Sequence, residues 1–255
     1  DLVRLLDAPR MKVWLAVKGG TVLGVLLAVG EGGLNVDMAK QVSLGKRRLK
    51  GHLLPQTMAA HMGYVDAATQ VAWRVVRIAV RAGHRREGIG SRLLDDMRHD
   101  ARAAGVDYVG AAFGAVPDLV QFWTQREYGL MRIGTRRGAT NGLFSAIVTI
   151  GLSKRSQRWM PFAQKRFAQS FIRQLAGPLS GFEVETACQV IRAISGQLSL
   201  PRLTDHEWSE LHVFGQGGRP FEAVYDLLHG YTLLRLSEAG RSHEFEGAAD
   251  QLMVR

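Results

Sequence analysis

Residues 75–90 begin with Val75-Val76-Arg77-Ile78-Ala79-Val80 and end, after four intervening residues, with Arg85-Arg86-Glu87-Gly88-Ile89-Gly90. The first run is apolar and β-branched, which is typical of a central strand covered on both faces. The second predicts a short loop from which a helix begins beside two glycines. Such a turn presents backbone N–H groups and the positive end of a helix, the geometry that holds a pyrophosphate. The R-x-x-G-x-G spacing differs from both the dinucleotide-binding fingerprint and the P-loop.

The residues around this segment predict a mixed sheet with helices packed on it. Residues 11–17 and 21–29 alternate like strands, and Lys18-Gly19-Gly20 between them predicts a hairpin turn. Residues 30–51 are polar and glycine-punctuated, and they predict a long loop or insertion. The other predicted elements are helices at 55–62, 89–104 and 117–127 and strands at 107–113, 130–134 and 143–152. The order, a hairpin followed by β-α-β-α-β-β, predicts an α/β (α+β) fold.

From residue 153 onward the pattern becomes helical. Ala163, Phe167, Phe171 and Leu175 recur every four residues, which predicts an amphipathic helix over 161–175. Further helices are predicted at 182–195, 205–214 and 220–236, and residues 1–8 resemble the end of another helix. We therefore expect one domain over 1–153 and a mostly helical tail over 154–255.

Charge is unevenly distributed along the 255 residues. The formal net charge is +10, and residues 1–150 hold 21 basic against 12 acidic side chains. Residues 151–173 hold six basic side chains and no acidic one, whereas 174–255 carry a net charge of −5. This asymmetry favours a polyanionic partner, although a solvated basic surface is the alternative. The lone cysteine, Cys188, has no basic neighbour in sequence to activate it, so we interpret it as structural.

Several motifs together resemble one acetyltransferase family. The loop at 85–90 is similar to the acetyl-CoA loop of the GCN5-related N-acetyltransferases (GNAT). Over about residues 1–155, the chain resembles the tRNA(Met) cytidine acetyltransferases. The shared motifs are Leu6-Asp7-Ala8-Pro9, Gly51-His52-Leu53-Leu54-Pro55-Gln56-Thr57, Arg77-Ile78-Ala79-Val80, Asp107-Tyr108-Val109-Gly110-Ala111-Ala112-Phe113-Gly114, Phe122-Trp123 and Arg132-Ile133-Gly134.

This resemblance implies a GNAT domain over 1–153, whose usual first strand is expected upstream. It implies acetylation of the exocyclic amine of the wobble cytidine in elongator tRNA(Met), with acetyl-CoA as cofactor. Family members use an ATP-driven helicase module, but no G-x-x-x-x-G-K-[ST] motif occurs in this chain. The implied acetyl-CoA site comprises Ile78, Ala79, Val80, Arg85, Arg86, Glu87, Gly88, Ile89, Gly90, Ser91, Asp118 and Gln125.

The chain departs from the family pattern near the expected acid. Many acetyltransferases have Phe-Tyr where this chain has Phe122-Trp123, and an indole cannot protonate a leaving thiolate. The family often has Arg in place of Gln125 and Gly in place of Glu127. The polar candidates near the expected site are His52, His61, His84 and Asp118, and none is assigned as general base. Two alternatives therefore stay open: a GNAT enzyme acting on a protein lysine or small amine, and a non-catalytic RNA-binding module.

Three basic clusters are the candidate tRNA contacts. Trp159 or Phe162 is a candidate to stack on an unpaired base, the alternative being that both are core residues. No uninterrupted apolar run of 18 residues occurs, so we expect no membrane span and a cytoplasmic location. The cluster residues are Lys46, Arg47, Arg48, Lys50, Arg136, Arg137, Lys154, Arg155, Arg158, Lys165 and Arg166.

Overall fold

Six strands form one mixed sheet in the computed structural model, which describes residues 10–198 and 202–239. The spatial order is β1-β2-β3-β4-β6-β5, and β3 and β4 are parallel whereas all other neighbours are antiparallel. The predicted fold class, an α/β (α+β) mixed sheet with flanking helices, is confirmed. The strands are β1 Met11–Lys18, β2 Thr21–Gly32, β3 Val71–Val80, β4 Tyr108–Gly114, β5 Gly129–Arg137 and β6 Phe144–Gly151.

Helices connect and follow these strands. A π-helical turn, Thr57–His61, continues directly from α2. The predicted helix at residues 1–8 lies outside the described residues, as does the end of the tail. The helices are α1 Val36–Ser43, α2 Leu53–Gln56, α3 Val65–Thr69, α4 Ile89–Ala103, α5 Pro117–Thr124, α6 Lys154–Gln157, α7 Met160–Leu175, α8 Val184–Ile194, α9 Asp205–Gly215 and α10 Tyr225–Ala239.

The prediction of a loop over 30–51 is wrong, because α1 lies inside it. The Asn35 side chain accepts a hydrogen bond from the Met38 amide at 2.8 Å and so caps the helix. Only Ala39 and Val42 are buried on its inner face. Two small apolar residues give little periodic signal, and the flanking glycines resemble those of a loop.

A buried ion pair joins two central strands to the start of α2. Glu31 is completely buried, and one of its carboxylate oxygens accepts from Arg74 Nε at 2.6 Å. The other oxygen accepts from the Leu54 amide at 2.9 Å. Because the amide lies at the first residue of α2, this carboxylate fixes where the helix begins against the sheet.

The described residues form two compact units. One comprises residues 10–115 and 122–164, and it contains the whole sheet. The other comprises 116–121, 165–198 and 202–239, a helical assembly with Phe171, Val190, Ile194 and Val224 buried. No helix within the described ranges is long and apolar enough to cross a membrane.

Candidate functional site

The parallel strands β3 and β4 pair over only part of their length. Their register runs from Ala72 opposite Tyr108 to Val75 opposite Ala111. Beyond that point β3 continues to Val80 and β4 to Gly114, so the two strands diverge. Among residues 10–198 and 202–239, the β4-facing edge of β3 therefore has no partner strand over Ile78–Val80, and its backbone groups are available to a ligand.

A β-bulge lies at the base of this split. Arg77 pairs with Leu27 and Val75 pairs with Ala28, so Val76 has no opposite residue. Bulges increase local twist and often occur beside active sites, where they re-aim a strand. Here the bulge separates the paired half of β3 from the half that faces the opening.

The loop between β3 and α4 exposes a set of backbone amides. Arg86 and Gly88 both have left-handed conformations, with φ of 65° and 77°. Within the described ranges, no group accepts a hydrogen bond from the N–H groups of residues 86–91. Ile89 is buried and anchors the first turn of α4. Unpaired amides at a helix start are a ready site for phosphate oxygens.

The charges around this loop also favour an anion. The Glu87 carboxylate lies 3.2 Å from His84 Nδ1, so the one acidic side chain of the loop has a basic neighbour. Arg85 and Arg86 are exposed, and neither forms an ion pair with a described residue. Two guanidinium groups therefore lie beside the free amides, and the loop fits a diphosphate.

Three further predicted cofactor residues lie on α4, on α5 and in the turn after α5. Asp118 is exposed in the first turn of α5 and belongs to the second unit. Gln125 is exposed in the turn that follows α5 and belongs to the first unit. Ser91 is half-buried in the first turn of α4. Their roles at a cofactor site stay predictions.

Trp123, which replaces the expected tyrosine, is a core residue. It is buried, and its ring lies 4.9 Å from the Tyr128 ring and 6.0 Å from the Phe113 ring. Phe122 lies nearer the loop, since its ring edge is 3.5 Å from where a Cβ on Gly90 would stand. The indole packs among aromatic side chains and supplies no acid.

The candidate bases have different surroundings. His84 Nδ1 is beside Glu87, and His52 Nδ1 accepts from the Gly32 amide at 2.8 Å. That hydrogen bond leaves the proton of neutral His52 on Nε2. The pKa of His61 is lowered by burial and then by the positive charges of Arg132 and Arg48. The structure singles out no one of them as the base.

The predicted RNA contacts are exposed, although some also have intramolecular partners. Arg137 stacks over Phe144 and donates to the Gly142 carbonyl at 2.8 Å. Arg155 lies 3.6 Å from Asp107. The exposed members are Lys46, Arg47, Arg48, Lys50, Arg136, Arg137, Lys154, Arg155, Arg158, Lys165 and Arg166.

The two aromatic candidates for base stacking differ in exposure. Trp159 is buried between Tyr64 and Tyr108, and its Nε1 donates to Gln70 at 3.3 Å. Phe162 is 70% exposed, so the alternative that it is a core residue is wrong. Only Phe162 of this pair presents a ring that a base could stack on.

Cys188 agrees with its structural interpretation. The thiol is half-buried in α8, and burial raises its pKa above the ordinary value. A raised pKa leaves less thiolate at neutral pH, which is the opposite of what a nucleophile requires.

Known proteins resemble this chain over most of its length. The chain is 35% identical over 222 residues to the tRNA(Met) cytidine acetyltransferase TmcA of Nitrosococcus halophilus, covering 87% of this chain and 30% of that protein. Against TmcA of Pectobacterium atrosepticum it is 37% identical over 237 residues, covering 88% and 32%. A solved GNAT family acetyltransferase from Elizabethkingia anophelis, with acetyl-CoA bound, is 13% identical with a TM-score of 0.39, covering 59% of this chain and 81% of that one.

The matched region is one part of a longer architecture in those relatives. The chain spans about a third of the length of the curated relatives it matches. The family described as GNAT acetyltransferase 2 matches residues 1–102, which include β1 to β3, the amide-rich loop and most of α4. The chain is therefore similar to the tRNA(Met) cytidine acetyltransferases of the TmcA type over most of its own length, and its residues 1–102 match a GNAT family.

Proposed function

We propose that the chain is the acetyltransferase part of an ATP-dependent enzyme that acetylates N4 of the wobble cytidine in elongator tRNA(Met), with acetyl-CoA as donor. The observation that carries the proposal is the split between β3 and β4, bordered by the free amides of residues 86–91. Similarity to TmcA over 87% of the chain supports the choice of RNA base. We expect the reaction to take place in the cytoplasm.

The amide-rich loop would hold the diphosphate of the cofactor. Gly88 and Gly90 allow the backbone to approach phosphate oxygens, and Arg85 and Arg86 add positive charge. The unpartnered edge of β3 at Ile78–Val80 would bind the pantetheine amides and stabilise the developing oxyanion. Acetyl-CoA, when bound, supplies the acetyl group as a thioester.

The amine of cytidine is a weak nucleophile, because its lone pair is delocalised into the ring. Positioning of the base and removal of its proton therefore contribute more than for a lysine substrate. The basic clusters at residues 46–50, 136–137 and 154–166 would bind tRNA phosphates, and Phe162 would stack on an unpaired base. ATP would act only in a module outside this chain.

A competition between substrates tests the proposal. The 255-residue chain would be incubated with acetyl-CoA, elongator tRNA(Met) and a lysine-containing peptide, and each product analysed by mass spectrometry. We expect one acetyl group on the wobble cytidine and none on the peptide. Acetylated peptide with unmodified tRNA would favour the protein-lysine alternative. Acetyl-CoA binding without either product would contradict the enzymatic proposal and favour the alternative of a non-catalytic RNA-binding module.

A further inference from the structure

A cavity of about 480 Å³ lies in the first unit, beside the turn that follows α1. Its walls are the loop that leads into α2 and one side of the π-helical turn. No acidic side chain is among its lining residues. Its polar lining side chains are Arg47, Arg48, His52, Gln56, Thr57 and His61.

Hydrogen bonds hold the walls of this cavity in place. Gln56 Oε1 accepts from the Leu49 amide at 2.8 Å, and Gln56 Nε2 donates to the Leu49 carbonyl at 2.5 Å. His52 is fixed by the Gly32 amide, and Arg47 Nε donates to Gln41 Oε1 at 3.3 Å. The cavity is therefore preformed, which lowers the entropic cost of binding.

The charge inside the cavity is positive and uncompensated. Arg48 forms no ion pair with any residue in the described ranges. The lowered pKa of His61 is partly due to Arg48 and Arg132, so these groups share one positive field. Uncompensated cations in a concave site concentrate anions.

The positive field around His61 extends to strand β5 of the sheet. Arg132, whose charge reaches His61, pairs with Ile147, and Ile147 pairs with Ala112. Ala112 is the first residue of β4 beyond its last pair with β3. Arg132 is therefore level in register with the end of the β3–β4 pairing, two strands away from β4.

We propose that this cavity binds a phosphate-bearing nucleotide of the RNA whose cytidine is acetylated. Arg47 and Arg48 would bind the phosphate, while His52 Nε2–H and His61 would contact the ribose hydroxyl or the base edge. The volume lies within the usual range of roughly 300–1,000 Å³ for ligand sites. This inference rests on the proposed function for the identity of the RNA.

Replacement of Arg48 tests the inference. Binding of the fluorescein-labelled anticodon stem-loop of elongator tRNA(Met) to the 255-residue chain would be followed by fluorescence anisotropy at several salt concentrations. For Arg48→Ala we expect Kd to rise about tenfold and the salt slope to fall by about one. Lys40→Ala removes the same charge from an exposed position on α1 outside the cavity lining, and its Kd should stay within about twofold of the parent. Equal effects of the two variants would overturn the inference.

His61 supplies a second, local measurement. In NMR spectra of histidine-labelled protein, bound RNA should raise the pKa of His61, because a phosphate favours the imidazolium against the charges of Arg48 and Arg132. An unchanged His61 signal at saturating RNA, or displacement of the RNA by an equal concentration of a polyglutamate peptide, would overturn the inference.

The outcome is separable from that of the proposed function. Stem-loop binding that depends on Arg48, in a chain that transfers no acetyl group to tRNA, would support the cavity and contradict the enzymatic proposal. Acetylation of tRNA by the parent, together with a stem-loop affinity that Arg48→Ala does not change, would support the enzymatic proposal and contradict the inference about the cavity.

Discussion

Gly88→Glu should raise the Kd for acetyl-CoA by about a hundredfold or more, with a parallel loss of acetyl transfer. No atom of the described residues lies within 4 Å of where a Cβ at Gly88 would stand, so the side chain has space, and the strain at φ of 77° is its only local cost. Its carboxylate would lie beside the amides proposed to hold the diphosphate. Like charges ~4 Å apart repel by about 4 kcal/mol at an effective dielectric constant of ~20. A hundredfold change requires only about 2.7 kcal/mol, and isothermal titration calorimetry would measure it.

Two control variants separate charge from backbone strain. Gly88→Asn adds no charge and tolerates the left-handed conformation, so its Kd should stay within about tenfold of the parent. Gly105→Glu introduces the same carboxylate at φ of 69°, also with no atom within 4 Å, beyond the other end of α4. It should leave acetyl-CoA binding unchanged. Tight binding by Gly88→Glu would remove the loop from the cofactor site.

Most of the sheet could be predicted because its signals are local. The β-branched run before Val80 and the hairpin glycines, Gly19 and Gly20, are each read from a few adjacent residues, and both glycines have positive φ. The divergence of β3 from β4 could not be predicted, because the sequence of a strand does not indicate where its pairing with a neighbouring strand ends. That divergence depends on the bulge at Val76 and on the register with a strand over 30 residues away.

The cavity could not be predicted from charge alone. Lys46, Arg47, Arg48 and Lys50 form one cluster in sequence, yet only Arg47 and Arg48 line the cavity. The difference arises from the Gln56–Leu49 and His52–Gly32 hydrogen bonds, which fold the loop against α2 and β2. The exposure of Phe162 could likewise not be predicted. It depends on where the buried face of α7 begins, and that face includes the next residue, Ala163.

The departure at Glu127 has a visible physical consequence. The family pattern favours glycine there, and Glu127 has a left-handed conformation with φ of 65°. Its carboxylate, which is 79% exposed, lies 3.4 Å from Nη2 of the largely buried Arg98, and this pair contributes about 1 kcal/mol at most. That contribution is similar to the cost of a left-handed non-glycine residue, about 1–2 kcal/mol. The resemblance to the family marks Glu127 as unusual, and the structure shows that this residue stands in a turn that suits glycine.

Glu31→Ala should lower the free energy of unfolding by about 3–5 kcal/mol, because it leaves Arg74 without its buried partner. The Leu54 amide would also lose its acceptor at the start of α2. Such a loss is a large fraction of the roughly 5–15 kcal/mol that stabilises a domain. Urea unfolding followed by circular dichroism measures it. Since the ion pair orients α2, RNA binding at the adjacent cavity should weaken in any variant that remains folded.

Asp96→Ala is the matched control, because it removes a carboxylate from the exposed face of α4. Asp96 forms no ion pair within the described ranges, so its loss should change stability by no more than about 0.5 kcal/mol. The double variant Glu31→Leu/Arg74→Met removes both charges together and should recover much of the loss, since apolar replacements of a buried pair are often neutral. If Glu31→Ala unfolded at the same urea concentration as Asp96→Ala, the ion pair would contribute nothing. If the double variant were less stable than Glu31→Ala, the unpaired arginine would not be the cause. Recovery by the double variant but not by Glu31→Leu alone would show that the cost arises from an uncompensated charge rather than from a cavity in the core.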